Sequence, residues 1–538
     1  MKKSLLFLFL IIVLAFFLRF FQLGQNPPSL TWDEAAWGYN AYSIGIDGKD
    51  EFGRFLPLDY LESFGDFKPP VYAYLDVLPI KVLGLNEFSV RFPSALFGVL
   101  TVIAAYFLVK RIFWKSKLKE SYALMSALIL AISPWHIMLS RAAFEANVAT
   151  FFIVLGVWAF LAGVQNRKGF LIISALSFAL SFYAFNTARI VSPLLVLILV
   201  FFLRKELFAR KKEAIVAVFI GLIIFIPISK FLISPQARLR FKEVNIFSDI
   251  NVVKTANQEI QNDNNAFWSN LIHNRRLLYA LDYTKHYFDN LSPSFLFIKG
   301  DGNPKFSTQN VGQMYVWDIP FFLIGAFLIF RRKEGYWWLV PLWLTIGIIP
   351  AAAARETPHA LRIETVLPTF QILTAYGFVQ LCEKISKYRY LIRTTLYLLL
   401  FLNFLYFYHD YLVHYPRIYS GEWQYGYKDS IDYVKSVQDK YDKIQITNSL
   451  GRPYIYYLFY TRTDPNYFRK TSIAKRDAFG FVYVEQLGKY VFPKDYSYSL
   501  NKKILYINTP YNLPKNIKIL KTFGLLNGQA VLVAYTHD

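Results

Sequence analysis

The stretch KPPVYAYLDVLPIKVLG, residues 68–84, is the one on which the topology turns. It is apolar enough to be tried as a membrane span, yet two prolines start it and Asp76 and Lys81 interrupt it. A spanning helix needs roughly 17–25 predominantly apolar residues. If this stretch crossed the bilayer, KRIFWKSKLKE (110–120) would face outward and every later loop would invert. Read instead as an amphipathic helix lying on the outer surface, it leaves eleven candidate spans: 4–22, 90–109, 121–139, 147–164, 169–184, 190–203, 213–232, 317–330, 336–352, 363–381 and 391–408. The start after MKK then puts the N-terminus inside. The N-terminal pair and the inside loops carry twenty Lys and Arg, whereas the outside loops 140–146, 185–189 and 353–362 carry four. That asymmetry follows the positive-inside rule. Residues 24–89 become one long first outer loop.

Composition agrees with this threading. Of 538 residues, 55% are hydrophobic, 19% aromatic and 18% charged, against about 25% charged in a soluble domain. The net charge of +22 invites a nucleic-acid reading, but apolar runs break up the basic clusters, and the one-sided loops account for the excess; no nucleic-acid partner is expected. A single cysteine, Cys382, excludes an intrachain disulfide. Residues 1–23 could pass for a signal peptide, but Arg19 follows the apolar run and no small-residue cleavage site appears, so a retained helix is expected.

Two larger polar pieces lie outside. Residues 233–316 are Asn-rich and weakly periodic, an inserted loop with some helix. In 409–538, KDSIDYVKSVQDKY reads as an amphipathic helix, and KIQITN, FGFVYVE, KILYINT and QAVLVAY read as strands. The expected organisation is a transmembrane module, 1–408, and a small extracytoplasmic α/β cap, 409–538.

The unusual outside motifs all adjoin helix ends on the same face: TWDEAAWGYN (31–40), GDFKPP (65–70), SRAAFEAN (140–147), NTAR (186–189) and RETPHALR (355–362). Charged groups next to hydrocarbon are expensive and tend to face a cavity or a functional site. Asp33, Glu34, Asp66, Lys68, Arg141, Glu145, Arg189, Arg355, His359 and Arg362 together describe an anion site with a base beside it. A lipid-linked phosphate would supply the anion, held by arginines. Each residue also has a plainer reading. Asp33 fits a helix N-cap, Lys68 an interfacial anchor, Arg141 and Glu145 an i,i+4 surface pair, Arg189 a snorkelling side chain and His359 a structural hydrogen-bonder. Arg355, His359 and Arg362 share one face if RETPHALR is helical; Pro358 also permits an irregular loop.

The order of these motifs resembles a known group. DE after the first helix, KPP on the surface helix, RFPSALFGVLTV at the next membrane entry, SPWHIMLSRAAFEAN and TPHALR are similar to the polyprenyl-phosphate-sugar transferases of the GT-C superfamily. Within it, the bacterial glycosyltransferase family 39 group, related to protein O-mannosyltransferases and the lipid A aminoarabinose transferase, is the nearest resemblance. HYPRIYSGEWQYGYKDS and PYIYYLFY also look like this bacterial group.

The resemblance implies a polytopic α-helical protein of GT-C type in a bacterial plasma membrane, with about eleven spans and the active site outside. It implies inverting transfer of a sugar from a polyprenyl-phosphate donor to an envelope glycan, lipid or protein. Asp33 would be the general base, Glu34 would orient it or the acceptor, and Lys68 and Arg141 would meet the donor phosphate. Glu145 would add a further acid, and Arg355 and Arg362 would reach the phosphate from a late outer loop. In the aminoarabinose transferase an acid directly precedes Lys-Pro-Pro, whereas here Phe67 intervenes after Asp66. A divalent cation, Mg²⁺ or Mn²⁺, suits such carboxylates, although phosphate departure needs none if arginines and lysine carry the charge. A lipid-linked-sugar transporter or flippase is the rival reading. It calls for mid-membrane charges and paired repeats, and neither is visible in the sequence.

Overall fold

A computed structural model of the chain describes residues 2–165, 167–235, 237, 244–384, 389–477, 481–493, 503–511 and 513–537. Asn166 and residues 385–388, in two expected inner loops, and 479–480, at the start of an expected strand, lie outside the described residues. So do 236 and 238–243, in the expected inserted loop. The chain divides into two compact units, one of residues 1–18, 97–140 and 145–407, the other of 19–96, 141–144 and 408–538. The C-terminal part of the second unit begins at Tyr408, one residue from the expected boundary at 408/409. The first outer loop groups with the C-terminal residues instead of with the helical module.

Each of the eleven candidate spans coincides with a helix, but the helices are unequal. Among the described residues five are long and apolar enough to cross a bilayer: Lys3–Phe20, Glu87–Ile112, Glu145–Val164, Lys211–Leu232 and Tyr390–Trp423. The expected single span 121–139 is broken into Lys119–Ile132 and Pro134–Arg141, bent by 55°. Pro134 has no N–H to continue the ladder. Counted as one, the pair makes a sixth. Phe170–Ala184, Ala188–Phe202 and Leu339–Ala352 are apolar but shorter. At 1.5 Å per residue, fifteen residues cover about 22 Å of a hydrocarbon core near 30 Å. A polytopic helical membrane protein stands, with five helices of spanning length among the described residues, or six if the bent pair is one span.

In the larger unit, helices Asp318–Arg332 and Thr369–Lys384 pack through facing glycines. A Cβ on Gly325 would lie 1.9 Å from Leu373 O, and one on Gly377 would lie 1.9 Å from Phe321 O. Small residues permit such backbone approach between membrane helices. Two buried tryptophans tie down the following loop: Trp135 Nε1 donates to Ala360 O at 3.1 Å and Trp343 Nε1 to Thr365 O at 2.8 Å. The inserted segment is helical over Ile250–Asn262, Ser269–Ile272 and Arg275–Asp289.

The second unit begins with helix Trp32–Asp47, followed by a hairpin of β1 (Leu61–Ser63) and β2 (Asp66–Lys68). Helix Val71–Leu83 then packs on Trp32–Asp47, burying Tyr72, Ala73, Asp76 and Ile80 while Leu78 and Val82 stay exposed. It covers most of the stretch 68–84, and its thirteen residues are too few to span. The C-terminal sheet contains β3 (Lys443–Ile446), β4 (Ser472–Arg476), β5 (Val482–Leu487), β6 (Tyr490–Val491), β7 (Ile504–Asn508), β8 (Ile517–Gly524) and β9 (Ala530–His537). Their order is β4-β5-β6-β3-β7-β9-β8. β3 runs parallel to β6 and β7, and the other pairs are antiparallel. β3, β5, β7 and β9 fall on the four stretches read as strands. β4 and β8, at the two sheet edges and mostly exposed, escaped because lysine-bearing edge strands lack the alternating apolar signature.

Candidate functional site

The opening of helix Trp32–Asp47 separates the two adjacent acids into two jobs. Thr31, not Asp33, is the N-cap: its Oγ1 accepts from Glu34 N at 3.2 Å while Glu34 Oε2 accepts from Thr31 N at 2.9 Å. This reciprocal capping box satisfies two orphan donors and fixes the first helical turn. Glu34 is fully buried, and its oxygens receive two further elements. Arg91 donates from Nε to Oε1 at 2.9 Å and from Nη2 to Oε2 at 3.3 Å, and Ala143 N donates to Oε1 at 3.0 Å. Arg91 is itself fully buried and also donates to Leu23 O, Pro27 O and Ser29 O. Glu34 is therefore a framework residue. The expectation that it orients an acceptor gives way, because its four acceptor positions are taken.

Asp33 points the other way. Its side chain is 51% exposed and its Oδ1 meets Lys68 Nζ, whose side chain is 8% exposed. The ammonium also lies 5.1 Å from the Trp37 ring and 5.4 Å from the Phe64 ring. Asp66, at the start of β2, accepts at Oδ1 from Phe67 N at 2.9 Å.

Arg141 is fully buried at the end of helix Pro134–Arg141. Its Nη2 donates to Asn26 O at 2.8 Å and its guanidinium lies 5.5 Å from the Tyr411 ring. Glu145 starts a separate helix, so the i,i+4 surface-pair reading fails: the residues between them are not helical.

Glu51, Arg452 and Arg476, near the hairpin that carries Lys68, were not singled out from the sequence. Glu51 is fully buried, accepting from Tyr454 Oη at 2.8 Å and pairing its backbone N–H with Asn40 Oδ1 at 2.9 Å. Burial pushes its carboxyl up to about 8, against the pull of the Tyr454 hydrogen bond. Its sequence signal was a second acid pair, Asp50-Glu51, in the same loop. Arg452 sits 5.0 Å from the Phe64 ring and donates to Val482 O at 3.1 Å, while Arg476 pairs with Glu62. Val482 N donates to Phe64 O at 2.9 Å. Strands β4 and β5 of the C-terminal sheet thus hold the hairpin that carries Lys68. Burial, with the charge of Glu34 added, holds the Asp76 carboxyl well above the usual range.

The remaining expected residues belong to the other unit. Arg189, at the start of helix Ala188–Phe202, donates from Nε to Phe182 O at 3.2 Å. The segment 355–362 is irregular, so its three basic residues share no helix face. Arg355 donates to Asn245 O at 3.2 Å, and Arg362 donates to Glu356 O at 2.9 Å and pairs with its carboxylate at 3.5 Å. His359 lies 4.9 Å from the Phe306 ring at a tilt of 37°, with Nδ1 3.9 Å from Asp301 Oδ2. Burial, joined by the charge of Arg362, drives His359 down to about 3, so it is neutral and offers no cation to a phosphate. Asp301 accepts from Ala360 N at 2.6 Å and burial raises it to about 6.

For a divalent cation the residues present do not fit. Among the described residues no group of three or more His, Cys, Asp or Glu is placed to hold a metal, and the Lys68 ammonium sits against the Asp33 oxygen a cation would take.

A family model described as dolichyl-phosphate-mannose-protein mannosyltransferase matches residues 67–231. ArnT from Cupriavidus metallidurans superposes with a TM-score of 0.52 at 13% identity, covering 99% of this chain and 98% of that one. The chain shares the fold of ArnT. AglB, the oligosaccharyltransferase of Archaeoglobus fulgidus, is also similar in fold, with a TM-score of 0.50 at 14% identity over 85% of this chain and 63% of that one. Sequence relatives are shorter matches. An uncharacterised Aquifex aeolicus protein is 32% identical over 32% of each chain. YkcB of Bacillus subtilis, named as a candidate mannosyltransferase, is 29% identical over 22% of this chain. These alignments span 32% and 16% of the relatives' own length.

Proposed function

We propose that the protein transfers a sugar from a polyprenyl-phosphate-linked donor to a hydroxyl acceptor of the cell envelope, with inversion at the anomeric carbon and on the extracytoplasmic side of a bacterial plasma membrane. The observation that carries this reading is the split of the acid pair: Glu34 locked in a buried lattice, Asp33 half-exposed beside Lys68. ArnT has been solved bound to undecaprenyl phosphate and AglB bound to dolichol-phosphate, which supports a lipid phosphate as the leaving group here.

In the proposed step Asp33 accepts the proton of the acceptor hydroxyl as its oxygen attacks the anomeric carbon. The bond from that carbon to the phosphate oxygen breaks, and its electron pair leaves with the phosphate. Lys68 supplies positive charge at this point, where preorganised cations stabilise developing anions most. Arg141, fully buried with its Nη2 on Asn26 O, adds a second fixed positive charge for the donor phosphate in this reading.

Purified protein given a polyprenyl-phosphate sugar and an envelope extract should release free polyprenyl phosphate together with a glycosylated product. Asp33→Asn should lower the rate by about 10²–10⁴-fold, the usual contribution of a general base. Wild-type turnover in the Asp33→Asn protein would remove the reading.

A further inference from the structure

The helices Phe170–Ala184, Ala188–Phe202 and Lys211–Leu232 enclose a cavity of about 280 Å³. Its walls are almost wholly apolar and strongly aromatic, with Phe160, Phe178, Phe182, Pro193, Gly221 and Phe225 among them. Along Lys211–Leu232 the lining runs from Ala214 to Phe225, about 16 Å at 1.5 Å per residue. That shape suits one hydrocarbon chain lying along the helices. Leu197, Val218 and Leu222, beside the cavity on the same helices, are exposed, as lipid-facing positions are.

One end carries a charge. Arg189 stands one turn before the lining residues Ser192 and Pro193, and its Nε donates to the carbonyl of Phe182, another lining residue. Its guanidinium lies 5.6 Å from the ring of Phe231, on the helix that supplies Gly221 and Phe225. Its Nη2 is buried and has no hydrogen-bond partner among the described residues. In a membrane such a donor is expensive to leave unmet. A phosphate oxygen meets it with a charge-assisted bond.

We infer that this cavity holds one acyl chain of an anionic phospholipid whose phosphate is bound by Arg189, as a resident lipid. A chain in an apolar slot and an anion at one end of it are what a phospholipid supplies together. The half-exposed acid and the lysine of the proposed chemistry both belong to the other compact unit, so the ligand of this cavity need not be the reacting one.

The test is native mass spectrometry of the full-length protein released from bilayers of phosphatidylcholine, phosphatidylglycerol and polyprenyl phosphate in equal amounts. Phosphatidylglycerol should be retained at about one per chain. Arg189→Gln should lower that occupancy at least tenfold. So should Gly221→Leu, whose new Cβ meets no more than Ala175 Cβ at 4.0 Å, so the backbone tolerates it while the side chain fills the slot. If either variant is not recovered folded, Ala175→Trp fills the same slot from the facing helix. Equal retention of phosphatidylcholine, or phosphatidylglycerol occupancy unchanged in a slot-filling variant, overturns the inference. Retention of polyprenyl phosphate in place of phosphatidylglycerol, lost in the same variants, also overturns it and assigns the slot to a polyprenyl chain.

Discussion

Replacing Glu34 by glutamine keeps the volume and removes one charge, yet it should unfold this part of the protein well before Asp33→Asn does. Four donors converge on the two oxygens of Glu34: Ala143 N and Arg91 Nε on Oε1, Thr31 N and Arg91 Nη2 on Oε2. An amide turns one of those oxygens into a donor, so in either orientation two N–H groups face an N–H group. The Arg91 guanidinium, fully buried, also loses its counter-charge. Breaking a buried ion pair by removing one partner costs about 3–5 kcal/mol. With about 2–4 °C per kcal/mol for a unit of 150–250 residues, the melting temperature should fall by roughly 6–20 °C. Asp33→Asn alters a half-exposed pair worth about 1 kcal/mol or less and should leave melting nearly unchanged while removing activity. Thermal melts of both variants in the same detergent, followed by tryptophan fluorescence and by transfer activity, decide it. If Glu34→Gln melts within about 2 °C of wild type and still loses transfer, Glu34 belongs to the chemistry and the framework assignment is wrong.

Other outcomes follow from the same contacts. Lys68→Met should cut turnover about 10²-fold or more, because both the base and the leaving phosphate lose their cation; a change in donor KM alone would argue against the second role. Glu51 carries a folded-state value of about 8 against an ordinary 4.5, so between those values the unfolded chain gives up a proton that the folded chain keeps. Stability should then fall as pH rises through that window, by up to about 1.4 kcal/mol per unit. Glu51→Gln should flatten the slope, and parallel melting curves for the two proteins from pH 5 to 8 would contradict it. Gly377→Leu should separate two helices whose backbones leave 1.9 Å for a Cβ, lowering yield and melting temperature, whereas Ala353→Ser, next to that helix pair's loop, serves as a neutral control. Arg476→Ala, at a pair whose arginine side chain is 54% exposed, should cost under about 1 kcal/mol yet reduce turnover through the Lys68 hairpin; equal turnover would detach the C-terminal sheet from the site.

Much of this was legible in the sequence because it depends on local pattern. Apolar runs between basic loops located every long helix, and an interrupted stretch with two prolines marked residues 68–84 as a helix too short to span. The capping box was present as Thr31-x-x-Glu34, but the tempting reading made Asp33 the cap, because two adjacent acids look interchangeable without a fold around them. Arg91 sat inside a stretch recognised for its resemblance and was still overlooked. Its partners lie 57 to 68 positions away, and no periodicity reports a pairing at that distance.

Sequence by itself determined which segments leave water, since transfer of apolar side chains into lipid is additive along the chain. Tertiary structure alone decided which of two neighbouring carboxylates stays within reach of a substrate. Burial and hydrogen-bond satisfaction depend on what the rest of the chain brings alongside, and here it brought Arg91 and Ala143 to Glu34 and a lysine to Asp33.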